Sequence, residues 1–216
     1  MILCVDKKAW MTSYDVIHDL KKEYPGQKIG HSGTLDPLAT WLLLIGVWPG
    51  TKQLHQLQGL PKTYQATIDF SQISDTRDID YWEKHEKFSV LERGGRIFLD
   101  KKWSLVLAPS LDEIQALFDN SLPEIELPLP DFSAKKIAGK KMYEYARKGQ
   151  TLKRTSLMRI FSYRIISYTF PILEIEFYVG SGTYIRSIAY WLGQKFGVGG
   201  ILTALRRTEI GIYKLP

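Results

Sequence analysis

Residues 30–40 read GHSGTLDPLAT, and this stretch decides more of the fold and chemistry than any other. Two glycines followed by an Asp-Pro step break regular structure. Residues 27–36 are therefore expected to form a loop that delivers the chain to a helical turn at Pro37, where the fixed φ of proline suits a first helical position. Asp36 stands at the exit of that loop, where an aspartate ordinarily serves as an N-cap. Upstream, MILCV reads as a short buried strand, and TSYDVIHDLKKEY as a helix capped by Thr12 or Ser13, with Asp15 in its first turn and Pro25-Gly26 at its end. Downstream, Tyr64, Ala66, Ile68 and Phe70 of KTYQATIDF alternate with polar neighbours. This is the period of a half-buried strand and puts Tyr64 on its inward face.

The rest of the chain alternates in the same way between strands and separate helices. Ser110 and Glu113 form a capping box before SLDEIQALF, the Pro-rich LPEIELPLPD reads as a connector, and GKKMYEYARKG reads as a short basic helix stopped by Gly149. Two strands are expected around 157–168 and 171–179, the second with Leu173, Ile175 and Phe177 facing inward. A helix follows, with Ile185, Ile188, Ala189, Leu192 and Phe196 on one stripe, Gly197 closing it and Arg186 off the stripe. No repeat or domain boundary interrupts the 216 residues, and the pattern predicts one α+β domain. Gly180 and Gly182, between strand and helix, suggest a dinucleotide fingerprint. Ile185 stands where its third small residue is needed, and no acid follows about 20 residues on, so that reading fails.

Composition narrows the function. The net charge is +6, yet residues 135–164 hold ten Lys or Arg against one acid, Glu144, leaving the remainder of the chain slightly acidic. A basic segment of this kind favours a polyanion such as nucleic acid. The single cysteine, Cys4, rules out an internal disulfide and a thiolate zinc site. The histidines at 18, 31, 55 and 85 form no close ligand pair, so neither metal nor other cofactor is implied. Without an apolar run of about 20 residues, a membrane span is not expected, and a reducing, cytoplasmic setting fits.

GHSGTLDPLAT, KTYQA at 62–66 and GTYIRS at 182–187 together resemble, in order and spacing, the three signature segments of TruB-type tRNA pseudouridine synthases. CVDKKAWMTSYDV near the start, FSAKKIAGKKMYEYARKG and the late LRR at 205–207 extend the similarity over essentially the whole chain. The resemblance implies a pseudouridine synthase fold, with a mixed, mainly antiparallel sheet, flanking helices and a central active-site cleft. It implies a free-standing catalytic domain without the small C-terminal RNA-binding domain that many members carry. The chain would then isomerise uridine to pseudouridine in the T loop of tRNA, at position 55, as a monomer with no obligatory protein partner.

Asp36 is the implied nucleophile. Arg186 is the implied cation that keeps the carboxylate charged, and Tyr64 would stack on the uracil and take the C5 proton. His31 would fill the gap left by the extracted base, while Lys7, Tyr184 and Leu205 would contact the substrate. Lys135, Lys136, Lys140, Lys141, Arg147 and Lys148 would follow the RNA backbone. Rival readings are a tRNA-binding or folding protein without catalysis, and a sister synthase acting on another RNA.

Trp10, Trp41 and Trp48 depart from the resemblance, because the family ordinarily has glycine at all three positions. Three of six tryptophans at glycine positions suggest one cause: UGA codons that mean glycine, read as tryptophan. If the indoles are genuine, the Asp36 loop is expected to be reshaped. Lys8, Asp131 and Phe132 also differ from the family's usual residues, at positions away from the nucleophile.

Overall fold

A computed structural model describes the chain except residues 80–85, 102, 103, 134, 138, 151, 153 and 216. Lys153 of the basic run and the two alanines of FSAKKIAGKK lie outside the described residues. The fold is built on a nine-stranded sheet: β1 Ile2–Lys7, β2 Ile29–His31, β3 Thr40–Val47, β4 Lys62–Asp69, β5 Glu124–Pro128, β6 Thr155–Thr169, β7 Ile172–Val179, β8 Ile201–Ile210 and β9 Tyr213–Lys214. The spatial order is β1-β3-β8-β4-β7-β6-β5, with β2 beside β3 and β9 beside β8. Every pairing is antiparallel except β3 with β8. The helices are α1 Ser13–Glu23, α2 Leu54–Gly59, α3 Leu111–Asp119, α4 Met142–Ala146 and α5 Ile185–Phe196.

Local sequence signals account for most of these elements. Thr12 and Asp15 form a reciprocal capping box at the start of α1, as do Ser110 and Glu113 at α3. Gly197 closes α5 in the left-handed conformation that costs glycine little. The alternation in β4 buries Tyr64, Ala66 and Ile68 on one face, beside Phe177, Ile175 and Leu173 of β7 in register. These side chains join α5 and α3 in a single large core, where Phe118 of α3 meets Phe177 and Trp191 edge-on or tilted at 5.7 Å.

Three expectations give way, the first being that residues 27–36 form only a loop, since β2 Ile29–His31 lies within them and pairs with β3. No helix forms at Pro37: Ala39 N–H donates to Asp36 O to close one turn, and β3 starts at Thr40. The apolar run in TWLLLIGV is buried from Leu42 to Val47, and placing it between β1 and β8 leaves only three residues for the turn. The expected connector at 122–131 contains β5, with Ile125 and Leu127 buried and Glu124 and Glu126 exposed. Pro128 is tolerated because β5 ends the sheet and pairs on one side only. A separate meander, Ser89–Arg93, Arg96–Lys101 and Ser104–Leu107, had no counterpart in the sequence reading.

The three departing tryptophans divide into two kinds. Trp10 has φ 67° and Trp41 φ 78°, both in the left-handed region that bulky L-residues avoid, whereas Trp48 has no positive φ. Trp10 is 54% exposed, and its N–H donates to Pro37 O at 2.7 Å. The Trp41 indole packs under the Arg206 guanidinium, 3.7 Å from the ring centre. The Trp10 indole thus lies outward, the half-buried Trp41 indole packs against the small cluster of Leu42, Leu44, Leu57 and Ile210, and the strain resides in the backbone of both residues.

Candidate active site

Asp36 lines a cavity of about 400 Å³ together with Tyr64, Tyr184, Ile185 and Leu205. The β2–β3 loop, β4, β8 and the start of α5 meet there, and the position of each side chain follows from its element. Tyr64 and Leu205 come from adjacent strands and face the same side: β4 and β8 pair with Leu205 opposite Ala66. Tyr184 is the N-cap residue of α5, so its ring stands at the point where β7 turns into that helix.

Arg186, in the first turn of α5, points away from the apolar stripe and lies behind Asp36 with 3% exposure. Its Nη2 donates to Asp36 Oδ1 at 3.0 Å, and its Nε lies 3.0 Å from Oδ2 as an ion-pair contact without a hydrogen bond, so one charge-assisted hydrogen bond and the adjacent charge hold the carboxylate. Nη2 also donates to Phe132 O at 2.9 Å, and Nη1 to Thr76 O at 3.1 Å. Asp78 Oδ2 lies 3.6 Å from Nε on the buried side. Burial alone would depress the guanidinium pKa, but Asp36 and then Asp78 outweigh it, leaving the pKa above its ordinary value. The Asp36 side chain keeps 30% exposure towards the cavity. An immobilised cation behind a partly open carboxylate keeps that carboxylate charged and in one orientation.

Lys7 sits apart from the cavity. Its side chain is fully buried, and Nζ donates to Met11 O at 2.6 Å, Lys8 O at 3.0 Å and Pro37 O at 3.1 Å. It ties the segment after β1 to the residue following Asp36, and it is not among the residues that line the cavity. Burial first, opposed by Asp36, holds its pKa at about 8. His31, half-buried on β2, is not part of the lining. Its Nδ1 accepts the Gly33 N–H at 3.3 Å, and burial, then Arg207, lowers its pKa, which favours the neutral ring.

Lys135 and Lys136 line the cavity, while Lys140 is exposed on the short hairpin formed by Lys136–Ile137 and Lys140–Lys141, and Arg147 and Lys148 are exposed just after α4. Lys141 and Arg147 lie over the Tyr143 ring at 5.4 and 5.2 Å. Four residues of the site escaped the sequence reading: Asp78, Lys62, Ser32 and Arg207. The only signal was position, since Asp78 lies in the acidic SDTRD run that follows β4, Lys62 and Ser32 lie within quoted motifs and Arg207 ends the LRR.

A family model described as "TruB family pseudouridylate synthase (N terminal domain)" matches residues 21–185. The chain belongs to the TruB family. Proteins named tRNA pseudouridine synthase B are similar over nearly its whole length. The one from Caldicellulosiruptor saccharolyticus is 33% identical, with 99% of this chain and 68% of the relative covered. Those from Aquifex aeolicus and Corynebacterium glutamicum are 34% and 36% identical, covering 96% and 99% of this chain and 67% and 68% of the relatives. Among solved structures, the Cbf5 chain of a Cbf5-Nop10-Gar1 complex superposes with a TM-score of 0.70 at 22% identity, covering all of this chain and 50% of that one. An H/ACA RNP bound to a substrate RNA containing 2′-deoxyuridine gives 0.66 at 20% identity, covering all of this chain and 49% of that one. These two establish the pseudouridine synthase fold, of which this chain spans about half the length of the solved chains. Among the described residues, no helix is long and apolar enough to cross a membrane.

Proposed function

We propose that the protein isomerises uridine to pseudouridine in tRNA, at position 55 of the T loop, with residues 1–216 acting as a single catalytic unit and Asp36 as nucleophile. The observation that carries this reading is the Asp36 carboxylate, hydrogen-bonded and ion-paired to the buried Arg186 while its side chain stays partly exposed in the cavity lining. The family membership and the names of the relatives support the substrate class.

In the reaction the N1–C1′ bond breaks, the uracil turns, and a C5–C1′ bond forms; a proton leaves C5 and one is gained at N1. Nothing is oxidised or reduced. Asp36 provides the covalent partner that holds the intermediate while the base turns. Arg186 keeps Asp36 ionised and fixes its approach. Tyr64 offers a ring face for stacking and, as the phenolate, a base to take the C5 proton, with Leu205 as an apolar wall on the same side. Lys135 and Lys136, in the cavity lining, and the exposed cations beyond them would follow the backbone of the T arm.

The protein needs neither a cofactor nor an obligatory protein partner in this reading, and it works as a monomer in the cytoplasm. One observation favours the rival, a tRNA-binding protein without catalysis: Trp10 and Trp41 strain the backbone on both sides of the Asp36 turn. Incubation with an unmodified tRNA transcript, followed by pseudouridine mapping, separates the two. Product at position 55 supports the isomerase; tight binding without product supports the rival.

A further inference from the structure

Arg207 has 1% exposure, yet among the described residues no carboxylate lies within ion-pair distance of it. Its Nε donates to Leu42 O at 2.9 Å and its Nη2 to Gly33 O at 3.4 Å; neither bond uses Nη1. A buried cation is ordinarily paired with an anion, because carbonyl dipoles replace only part of its lost hydration. Its surroundings add positive charge. Arg207 disfavours the charged forms of Lys62, Lys7 and His31, in each case alongside burial, which is the larger cause.

Arg207 and Lys62 line the same cavity as Asp36, whose carboxylate is already committed to Arg186. Lys62 is buried too, with Nζ donating to Gln58 O and Leu60 O at 2.6 Å and to Ser181 Oγ at 3.3 Å. Ser32, also in the lining, is 2% exposed, and its hydroxyl has no hydrogen-bond partner. The cavity therefore holds an unneutralised guanidinium, a second buried cation and an idle hydroxyl, close to the reacting carboxylate.

We infer that Arg207, with Lys62 and Ser32, forms a subsite for one backbone phosphate directly flanking the target uridine. The bound RNA supplies the missing anion. Arg207 Nη1 and Ser32 Oγ donate to the phosphate oxygens, and Lys62 adds its charge from behind. This subsite is separate from the exposed basic hairpin: it holds the extracted nucleotide itself and sets the depth at which its sugar meets Asp36. The inference rests on the RNA-isomerase reading, but binding alone can test it.

The probe is a T-arm stem-loop RNA carrying a single neutral methylphosphonate, placed in turn at the phosphate 5′ of the target uridine, at the one 3′ of it, and at a control position in the stem. Affinities are measured for the wild type and for Arg207→Gln. For the wild type, one flanking position weakens binding about 10-fold or more relative to the stem control, the loss expected for a charge-assisted hydrogen bond. In Arg207→Gln that selective loss disappears. If neither flanking position costs more than the control, or if Arg207→Gln retains the full selective loss, the subsite is overturned. Should Arg207→Gln fail to fold, the wild-type comparison with Ser32→Ala decides by the same criteria. Unmodified RNA that binds with the selective pattern but yields no pseudouridine rejects the isomerase reading and leaves the subsite standing.

Discussion

Replacing each departing tryptophan with glycine and, separately, with alanine isolates the backbone strain, because both substitutions remove the whole indole. They differ in one atom, Cβ. At Trp10 and Trp41, with φ of 67° and 78°, a Cβ in the left-handed region costs about 1–2 kcal/mol. Against this, glycine gives the unfolded chain extra freedom worth about 0.5–1 kcal/mol. Glycine should therefore be more stable than alanine at both positions by roughly 0.5–1 kcal/mol, a melting difference of about 1–4 °C for a chain of this length. At Trp48, which has no positive φ, only the entropy acts and alanine should lead. Comparison with the tryptophan parent adds a second contrast: Trp41→Gly also gives up the Arg206 stacking, worth about 0.5–1 kcal/mol, so Trp10→Gly should gain the more. Thermal unfolding of the six variants is the assay. Alanine equal to or better than glycine at positions 10 and 41 would refute the strain argument. Three UGG codons in the gene would remove the recoding explanation while leaving the strain in place.

Two further outcomes follow from the charges around Asp36. Asp78→Asn removes the charge 3.6 Å from Arg186 Nε but keeps the shape, so kcat should fall about 10-fold or more with RNA affinity unchanged; an equal loss in affinity would mean that Asp78 shapes the cavity instead of positioning Arg186. Burial lowers the Lys62 pKa to about 8, so the folded state binds its proton less tightly than the unfolded chain does, and the stability of the wild type relative to Lys62→Met should rise as pH increases from about 8 towards 10; a difference that stays constant across that window would contradict the burial argument.

Period and capping made most of the fold legible. The capping boxes at Thr12 and Ser110, the alternation in KTYQATIDF and the stripe of α5 each depend on neighbours within a few residues, so the sequence carries them openly. β3 was missed because a continuous apolar run has no period to read, and β5 because two prolines masked the alternation of Ile125 and Leu127. Asp36, Tyr64 and Leu205 line one cavity and Arg186 pairs with Asp36, so the fold brings the motif segments together. Asp78 and Arg207 were invisible for a different reason. Their roles arise from partners more than 100 residues away, Arg186 for Asp78 and Leu42 and Gly33 for Arg207, and no local pattern encodes such pairings. Lys7, which the resemblance assigned to the substrate, donates to three backbone carbonyls as a buried brace.

The claim that Asp36 is the nucleophile is tested most directly by single-turnover pseudouridine mapping on a tRNA transcript with the wild type and Asp36→Ala, with RNA affinity measured alongside. The wild type should form pseudouridine at position 55, and Asp36→Ala should bind the transcript comparably and form none. Product from a folded, RNA-binding Asp36→Ala protein would contradict the account.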